Sequence, residues 1–341
     1  MAALNGKPIT ISIVVPVHQA AQTLLACVDS LLAQALSPHE IWLVENGSTD
    51  QTKALCEACE RRDARIHFVS LEKVGVSRAR NAGLQRSTGS HIAFVDADDT
   101  LPPQALKTLA REAGAYDWVL GSYCRVGDPT PTGHRGETPR ALDAAQLAEY
   151  MLSHRMELLV GSVWGKLYRT DLAKQCAFPE NISFAEDNLF NMAYATHIQR
   201  VLLLPDVVYY YAPQALSLAS HIAPHWSAFS EIQEARLAYV RQYALRRGTA
   251  RVYGCTLNML LRALNEHAAA GERSEFFLLA RRLRDDSALM EAVSSFDSES
   301  VLYGYAKLAA FLLQHGNIRL LYRLLHAWQR LKLQREEAIR T

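Results

Sequence analysis

The run Ile92-Ala93-Phe94-Val95-Asp96-Ala97-Asp98-Asp99 places the tightest limit on the fold. Its apolar half, rich in β-branched and aromatic side chains, reads as a buried strand. Three carboxylates follow within four positions, and then Leu101-Pro102-Pro103, where a helix can begin with proline in its first turn. In an open α/β sheet, ligands collect outside the carboxyl ends of the strands, which is where these acids would stand. In an extended chain Asp96 and Asp98 point to one side and Asp99 to the other. The run has two readings. One is a pair of hard oxygen donors for Mg2+ or Mn2+ shared with substrate phosphates; the other is an acidic turn that caps the next helix.

The preceding chain alternates strands with helices. Residues 10–15 form an expected strand ending at Pro16, and residues 22–35 carry Leu24, Leu25, Val28, Leu31 and Leu32 at helical spacing. A second strand covers 40–44 and leads into the polar turn Glu45-Asn46-Gly47-Ser48-Thr49-Asp50, which can cap a helix running to about residue 62. A third covers 66–69, and Gly75 opens a turn into residues 76–83. Such alternation means βαβ units, an α/β class and a mostly parallel sheet. Farther on, a helix over 102–113, a strand over 118–123, a loop or hairpin over 127–139, a helix over 143–154 and short strands at 201–204 and 207–211 are expected. From about residue 226 only helices follow, so an α/β domain of residues 1–222 precedes an α-helical C-terminal domain of residues 223–341. The turn Pro16-Val17-His18-Gln19 has no glycine, so neither a dinucleotide loop nor a P-loop follows strand one. Phosphates would have to be held by a metal on the carboxylates.

Composition narrows the classes. A chain of 341 residues, 49% hydrophobic and 21% charged, has core enough for one large domain and an appendage. A net charge of +1 argues against general nucleic-acid binding. Cys27, Cys56, Cys59, Cys124, Cys176 and Cys255 are too scattered for a disulfide framework. Cys56 and Cys59 form a C-x-x-C inside a charged helical stretch without a second pair, which reads as two cysteines on one helix face. The first ten residues lack the apolar core of a signal peptide, and no run approaches the ~18 apolar residues that span a bilayer. A cytoplasmic protein is expected.

The strand ending in Pro16-Val17, the turn Val44 to Asp50, the segment Gly75-Val76-Ser77-Arg78-Ala79-Arg80-Asn81-Ala82-Gly83 and Phe94-Val95-Asp96-Ala97-Asp98-Asp99 together resemble the family 2 glycosyltransferases. Val163-Trp164-Gly165-Lys166-Leu167-Tyr168 and Glu186-Asp187-Asn188-Leu189-Phe190 resemble that family's acceptor-side motifs, and the match runs over roughly residues 10–220. The resemblance implies a GT-A fold, Rossmann-like, and an inverting transfer from a nucleotide-sugar, with a UDP-sugar as the family expectation, to a saccharide or lipid-linked saccharide of the bacterial surface-polysaccharide type. Asp98 would bind Mn2+ or Mg2+, with Asp96 nearer the ribose and Asp99 supporting; His221 is a further metal candidate. Pro16, Val17 and Ala97 would line the nucleotide pocket, and Arg80, with Arg78 second, would meet base or phosphate. Where the family commonly has two aspartates, this chain has Glu45 and Asn46, so the base contact falls to Glu45 or to an amide that both donates and accepts. Asp187, seconded by Glu186, would be the base that deprotonates the acceptor hydroxyl; Trp164 and Lys166 would meet the acceptor. A sugar nucleotidyltransferase would need a glycine-rich basic loop after strand one. A non-catalytic glycan- or nucleotide-sugar-binding subunit would have no use for intact Asp96, Asp98 and Asp187.

The C-terminus carries Lys307, Arg319, Arg323, Arg330, Lys332 and Arg335 with no acid between residues 300 and 335. Leu320, Leu321, Leu324, Leu325, Trp328 and Leu331 share one helical face, with Arg319, Arg323 and Arg330 opposite. Such a helix either docks on its neighbours or lies on an anionic membrane surface, here the inner face of the cytoplasmic membrane; association into homo-oligomers is left open.

Overall fold

The computed structural model describes residues 3–4, 6–72, 74–134, 138–151, 161–182, 185–212, 226–245, 248–287, 289–290 and 304–328. Two compact units emerge, one of Met1–Met151 with Arg155–Gln214, the other of Ala215–Thr341 with Leu152–His154.

Unit 1 is built on strands β1 (Ile11–Val17), β2 (Glu40–Asn46), β3 (Ile66–Leu71) and β4 (His91–Phe94), joined by helices α1 (Leu24–Leu32), α2 (Thr52–Arg62) and α3 (Val76–Arg86). These four strands lie in the order β3-β2-β1-β4 and pair in parallel. Nearly every residue of β1 is buried, because the strand is covered on both faces; the apolar run in the sequence reflects that double burial. Beyond β4 the sheet becomes mixed. After α4 (Ala105–Ala110) come β5 (Trp118–Arg125), β6 (Asp128–Thr132), β7 (Arg140–Asp143), α5 (Ala144–Met151), β8 (Lys166–Arg169), α6 (Thr170–Ala173), α7 (Glu186–Ala195) and β9 (Arg200–Tyr211). Strand β8 is antiparallel to both β4 and β5, β9 is parallel to β5, β7 pairs antiparallel with β9 at the sheet edge, and β6 pairs antiparallel with β5. The expected mostly parallel arrangement therefore holds up to β4 and gives way beyond it.

A close approach and a glycine turn set α3 on the sheet. Gly83 sits against Val14 so closely that a Cβ would collide with Val14 Cγ1. At the other end Gly75 has φ +92, a left-handed conformation that suits glycine. Below the ends of β4 and β8, Phe94 meets Tyr168, Phe178 and Phe190 edge-on at centroid distances of 5.7, 5.3 and 5.8 Å. Each such contact contributes about 0.5–1.5 kcal/mol beyond area burial. This apolar floor carries the polar site.

Unit 2 is helical in its described residues: α8 (Trp226–Gln242), α9 (Gly248–Ala270), α10 (Arg273–Asp285), α11 (Gly304–Gln314) and a helix over residues 318–328. In the last helix the expected single apolar face is divided. Ile318, Leu321, Tyr322 and Leu325 are buried, whereas Leu320, Leu324 and Trp328 are exposed. Arg330, Leu331, Lys332 and Arg335 lie outside the described residues, as does His221. No helix among the described residues is long and apolar enough to cross a membrane.

Candidate active site

The acid run is a turn, not an extension of the strand. Val95 N–H still donates to Val14 O at 3.0 Å, but Asp99 N–H donates back to Asp96 O at 3.1 Å, closing the turn with Ala97 and Asp98 at its tip. The expected alternation of the three carboxylates is therefore replaced. Asp99 folds inward, 1% exposed, and accepts from Tyr209 Oη at 2.6 Å and Ala212 N–H at 2.7 Å. The same phenol accepts from Asp96 N–H at 3.1 Å, so Tyr209 ties both ends of the turn together. Burial pushes the Asp99 carboxyl up to about 8, with Asp96 adding to the shift. Asp99, expected in a supporting role at the metal, thus buttresses the turn with both carboxylate oxygens engaged by protein donors. Asp96 and Asp98 remain partly exposed on the turn.

Arg80 departs most from expectation. Its side chain is 5% exposed and lies among three carboxylates: Nη1 to Asp187 Oδ1 at 2.5 Å and Glu186 Oε1 at 3.0 Å, Nη2 to Asp96 Oδ1 at 3.1 Å. The guanidinium stands 5.5 Å above the Phe178 ring. It is an ionic hub inside the protein, where a base or phosphate contact was expected. Burial works against its charge, but Asp187, Asp96 and Glu186 outweigh that and keep it protonated. Arg78, the second expected contact, pairs on the surface with Glu180 at 2.6 Å.

Helix α7 delivers the two acids. Ala185, at its N-cap, has φ +59, a left-handed conformation uncommon outside glycine that turns the chain sharply before Glu186. Glu186 and Asp187 then occupy the first helical turn, where the dipole favours negative charge. Asp187 Oδ2 accepts from Val163 N–H at 3.2 Å, so the carboxylate is held from two sides. Val163 is itself fixed: Tyr168 Oη donates to Val163 O at 3.2 Å and Asn191 Nδ2 to Ser162 O at 2.7 Å. Burial drives the Asp187 carboxyl upward, Arg80 opposes this, and neighbouring Glu186 and Asp96 add to the rise.

The remaining expected contacts are taken up by the protein. Glu45 accepts from Ser48 N–H and from Ser70 Oγ, and is 1% exposed. Asn46 Oδ1 accepts from Val74 and Gly75 N–H at 2.8 and 3.1 Å, holding the entry to α3. Trp164 is 4% exposed and stacks on Tyr209 at 4.6 Å, so it is a core ring and not an open sugar platform. Lys166 is likewise buried, donating to Trp164 O at 2.9 Å and Ser162 Oγ at 3.2 Å, and burial lowers it to about 7. Its expected acceptor contact gives way to bracing of the 162–164 segment. Val17 and Ala97 are buried and Pro16 half-buried at the end of β1. Tyr209, Tyr168 and Asn191 were not legible as site residues: Tyr209 and Asn191 act through contacts distant in sequence, and Tyr168 braces Val163 together with Asn191.

Among the described residues no cluster of three or more histidine, cysteine or acidic side chains forms a metal site. Asp96 and Asp98 nonetheless fit a hard divalent ion, which takes one or two carboxylates and completes its shell with substrate phosphates and water.

The sequence model of glycosyl transferase family 2 matches residues 12–175. The chain is 30% identical to the uncharacterized glycosyltransferase EpsJ of Bacillus subtilis over 309 residues, covering 86% of this chain and 89% of EpsJ. The chain belongs to glycosyl transferase family 2. It is 28% identical over 206 residues to the poly(ribitol-phosphate) β-N-acetylglucosaminyltransferase TarS of Staphylococcus aureus, spanning 59% of this chain but 35% of TarS. The crystal structure of TarS 1-349 in complex with UDP-GlcNAc superposes with TM-score 0.66 over 95% of this chain and 92% of that one, at 20% identity. GalNAc-T7 with UDP, GalNAc and Mn2+ gives 0.51 over 70% of this chain and 50% of that one, at 14% identity. Both show the GT-A fold, and this family 2 chain is a glycosyltransferase.

Proposed function

We propose that this glycosyltransferase moves a sugar from a UDP-sugar to a hydroxyl of a saccharide acceptor, inverting the anomeric carbon, in the synthesis of a surface polysaccharide or lipid-linked glycan. Catalysis is assigned to residues 1–222, working in the cytoplasm or at the inner face of its membrane. The observation that carries the reading is Asp187: a half-buried carboxylate, held by Val163 N–H and Arg80, whose guanidinium also grips Asp96 of the acid turn. Arg80 thereby couples the donor-side acids to the base.

In the reaction the acceptor oxygen attacks the anomeric carbon as the bond from that carbon to the β-phosphate oxygen breaks. The bonding pair leaves with UDP, and the hydroxyl proton passes to an Asp187 oxygen. The transition state is oxocarbenium-like, so the hydroxyl becomes acidic late and a carboxylate is base enough, the more so when burial has raised it. Asp98 and Asp96 would hold Mn2+ or Mg2+, which when bound neutralises charge on the departing diphosphate. Glu186 shares Arg80 and balances its charge. The UDP-GlcNAc complex of TarS supports a uridine donor.

Thermal shift with UDP, GDP, CDP and ADP, in Mn2+ and in EDTA, tests this. Saturating UDP at a hundred times its Kd adds roughly 2.7 kcal/mol. The expected result is a shift of several degrees with UDP and Mn2+ that is lost in EDTA and in Asp98→Ala. A purine diphosphate shifting the protein instead would overturn the uridine assignment, and an unchanged shift in EDTA would overturn the metal.

A further inference from the structure

Unit 2 contains a cleft of about 460 Å3 lined by Arg273, Ser274, Phe277, Arg319, Tyr322 and Arg323. Arg273 and Ser274 begin α10, and Arg319 and Arg323 come one turn apart from the helix of residues 318–328. Arg273 lies over the Tyr322 ring at 5.5 Å, and Phe277 packs beside that ring at 5.7 Å, so the aromatic floor is fixed. Among the described residues, the ion pairs of this unit are Arg241–Glu234, His267–Glu272 and Arg284–Asp285; none involves the three arginines of the cleft. Three like charges around one concavity repel one another unless an anion joins them. Guanidinium forks match phosphate oxygens in pairs.

A second observation bears on what brings the phosphate. Leu320 and Leu324, each directly following a cleft arginine in sequence, are 47% and 42% exposed. On an outward helix face this sets cations beside large apolar side chains, and no acid occurs between residues 300 and 335. A free phosphate would engage the arginines and leave the leucines in water. A membrane surface engages both, with headgroup phosphates at the cations and the leucines at the acyl boundary.

We propose that the Arg273–Arg319–Arg323 cleft is a binding site for the phosphates of anionic phospholipid headgroups, and that with Leu320 and Leu324 it docks unit 2 on a membrane surface. The site lies outside the catalytic residues and needs no turnover, so its failure would leave the transferase reading untouched.

The test is sedimentation of the full chain at low salt with phosphatidylcholine vesicles, and with the same vesicles containing phosphatidylglycerol. The wild type is expected to pellet with the anionic vesicles only. Each cation near such a surface is worth about fivefold in partitioning, so Arg273→Gln with Arg319→Gln and Arg323→Gln lowers it by about 100-fold. Leu320→Ser with Leu324→Ser also releases the protein, and both variants keep the circular dichroism and UDP–Mn2+ thermal shift of the wild type. Equal recovery with the two vesicle types, or equal partitioning of wild type and the arginine variant, overturns the proposal. So does full retention by the serine variant combined with release by inorganic phosphate at matched ionic strength, which would mark a pocket for free phosphate. A fall in oligomeric state by light scattering in the serine variant, without a change in vesicle binding, would make this face a contact between copies of the chain.

Discussion

Arg80 joins Asp96, Glu186 and Asp187 through two nitrogens, and the chemistry of the site depends on the charge balance it sets. As the proposed base, Asp187 must be ionised to accept a proton, and burial raises its carboxyl to about 7. The rate should therefore fall about tenfold per pH unit as the pH drops below that value, well above the range of an exposed aspartate. Arg80→Lys loses the fork and weakens the opposing charge, which should move this acidic limb to higher pH. A kcat profile flat down to pH 5 would show that Asp187 is not the titrating base. Asp96, Asp98, Glu186 and Asp187 were legible in the sequence because acids at a strand end or in the first turn of a helix are local features. Glu45, Asn46, Trp164 and Lys166 were expected as ligand contacts, and their partners within the chain, among them Ser70, Gly75 and Tyr209, were invisible before the chain was folded. Arg80 was recognised as important, but whether a buried guanidinium faces phosphate or carboxylate is decided by α7, more than a hundred residues later.

Helix α3 is the element that carries Arg80 into the site, and its seat on the sheet depends on Gly83 touching Val14. Gly83→Ala should force the helix off β1 at a cost of about 1–3 kcal/mol, typical of overpacking, and displace the guanidinium from Asp187. The expected outcome is a lower melting temperature together with a loss of kcat larger than the stability change explains. An alanine variant with unaltered melting and turnover would mean that α3 does not need this close seat. The helix–strand alternation up to β4 was readable from period and caps. The strand β9 was not: it was expected as two short strands, yet the chain runs on through Pro205 and Asp206 from Arg200 to Tyr211, with a register shift between Leu203 and Val207. A bulge absorbs a proline that a regular central strand would reject. Likewise the antiparallel β8 joins strands from separate parts of the chain, a pairing that no local pattern encodes.

Across the whole molecule, the chain combines a GT-A unit, whose acid turn and proposed base are linked by one arginine, with a helical unit whose last described helix keeps part of its apolar surface in solvent. The division into an α/β part and a helical part was legible because the strand pattern stops; the divided face of the last helix was not, since helical spacing alone does not say how wide a stripe its neighbours cover. The central claim, that Asp187 removes the acceptor proton while donor binding belongs to the acid turn, is tested most directly by the Asp187→Asn variant. UDP release from UDP-sugars in Mn2+ and UDP affinity by calorimetry are measured on the same preparation. The account predicts a fall in kcat of at least ~10²-fold, the usual contribution of a positioned general base, with UDP affinity within a factor of about three and Glu186→Gln less impaired. Wild-type turnover by Asp187→Asn, or a dead Glu186→Gln beside an active Asp187→Asn, would contradict it.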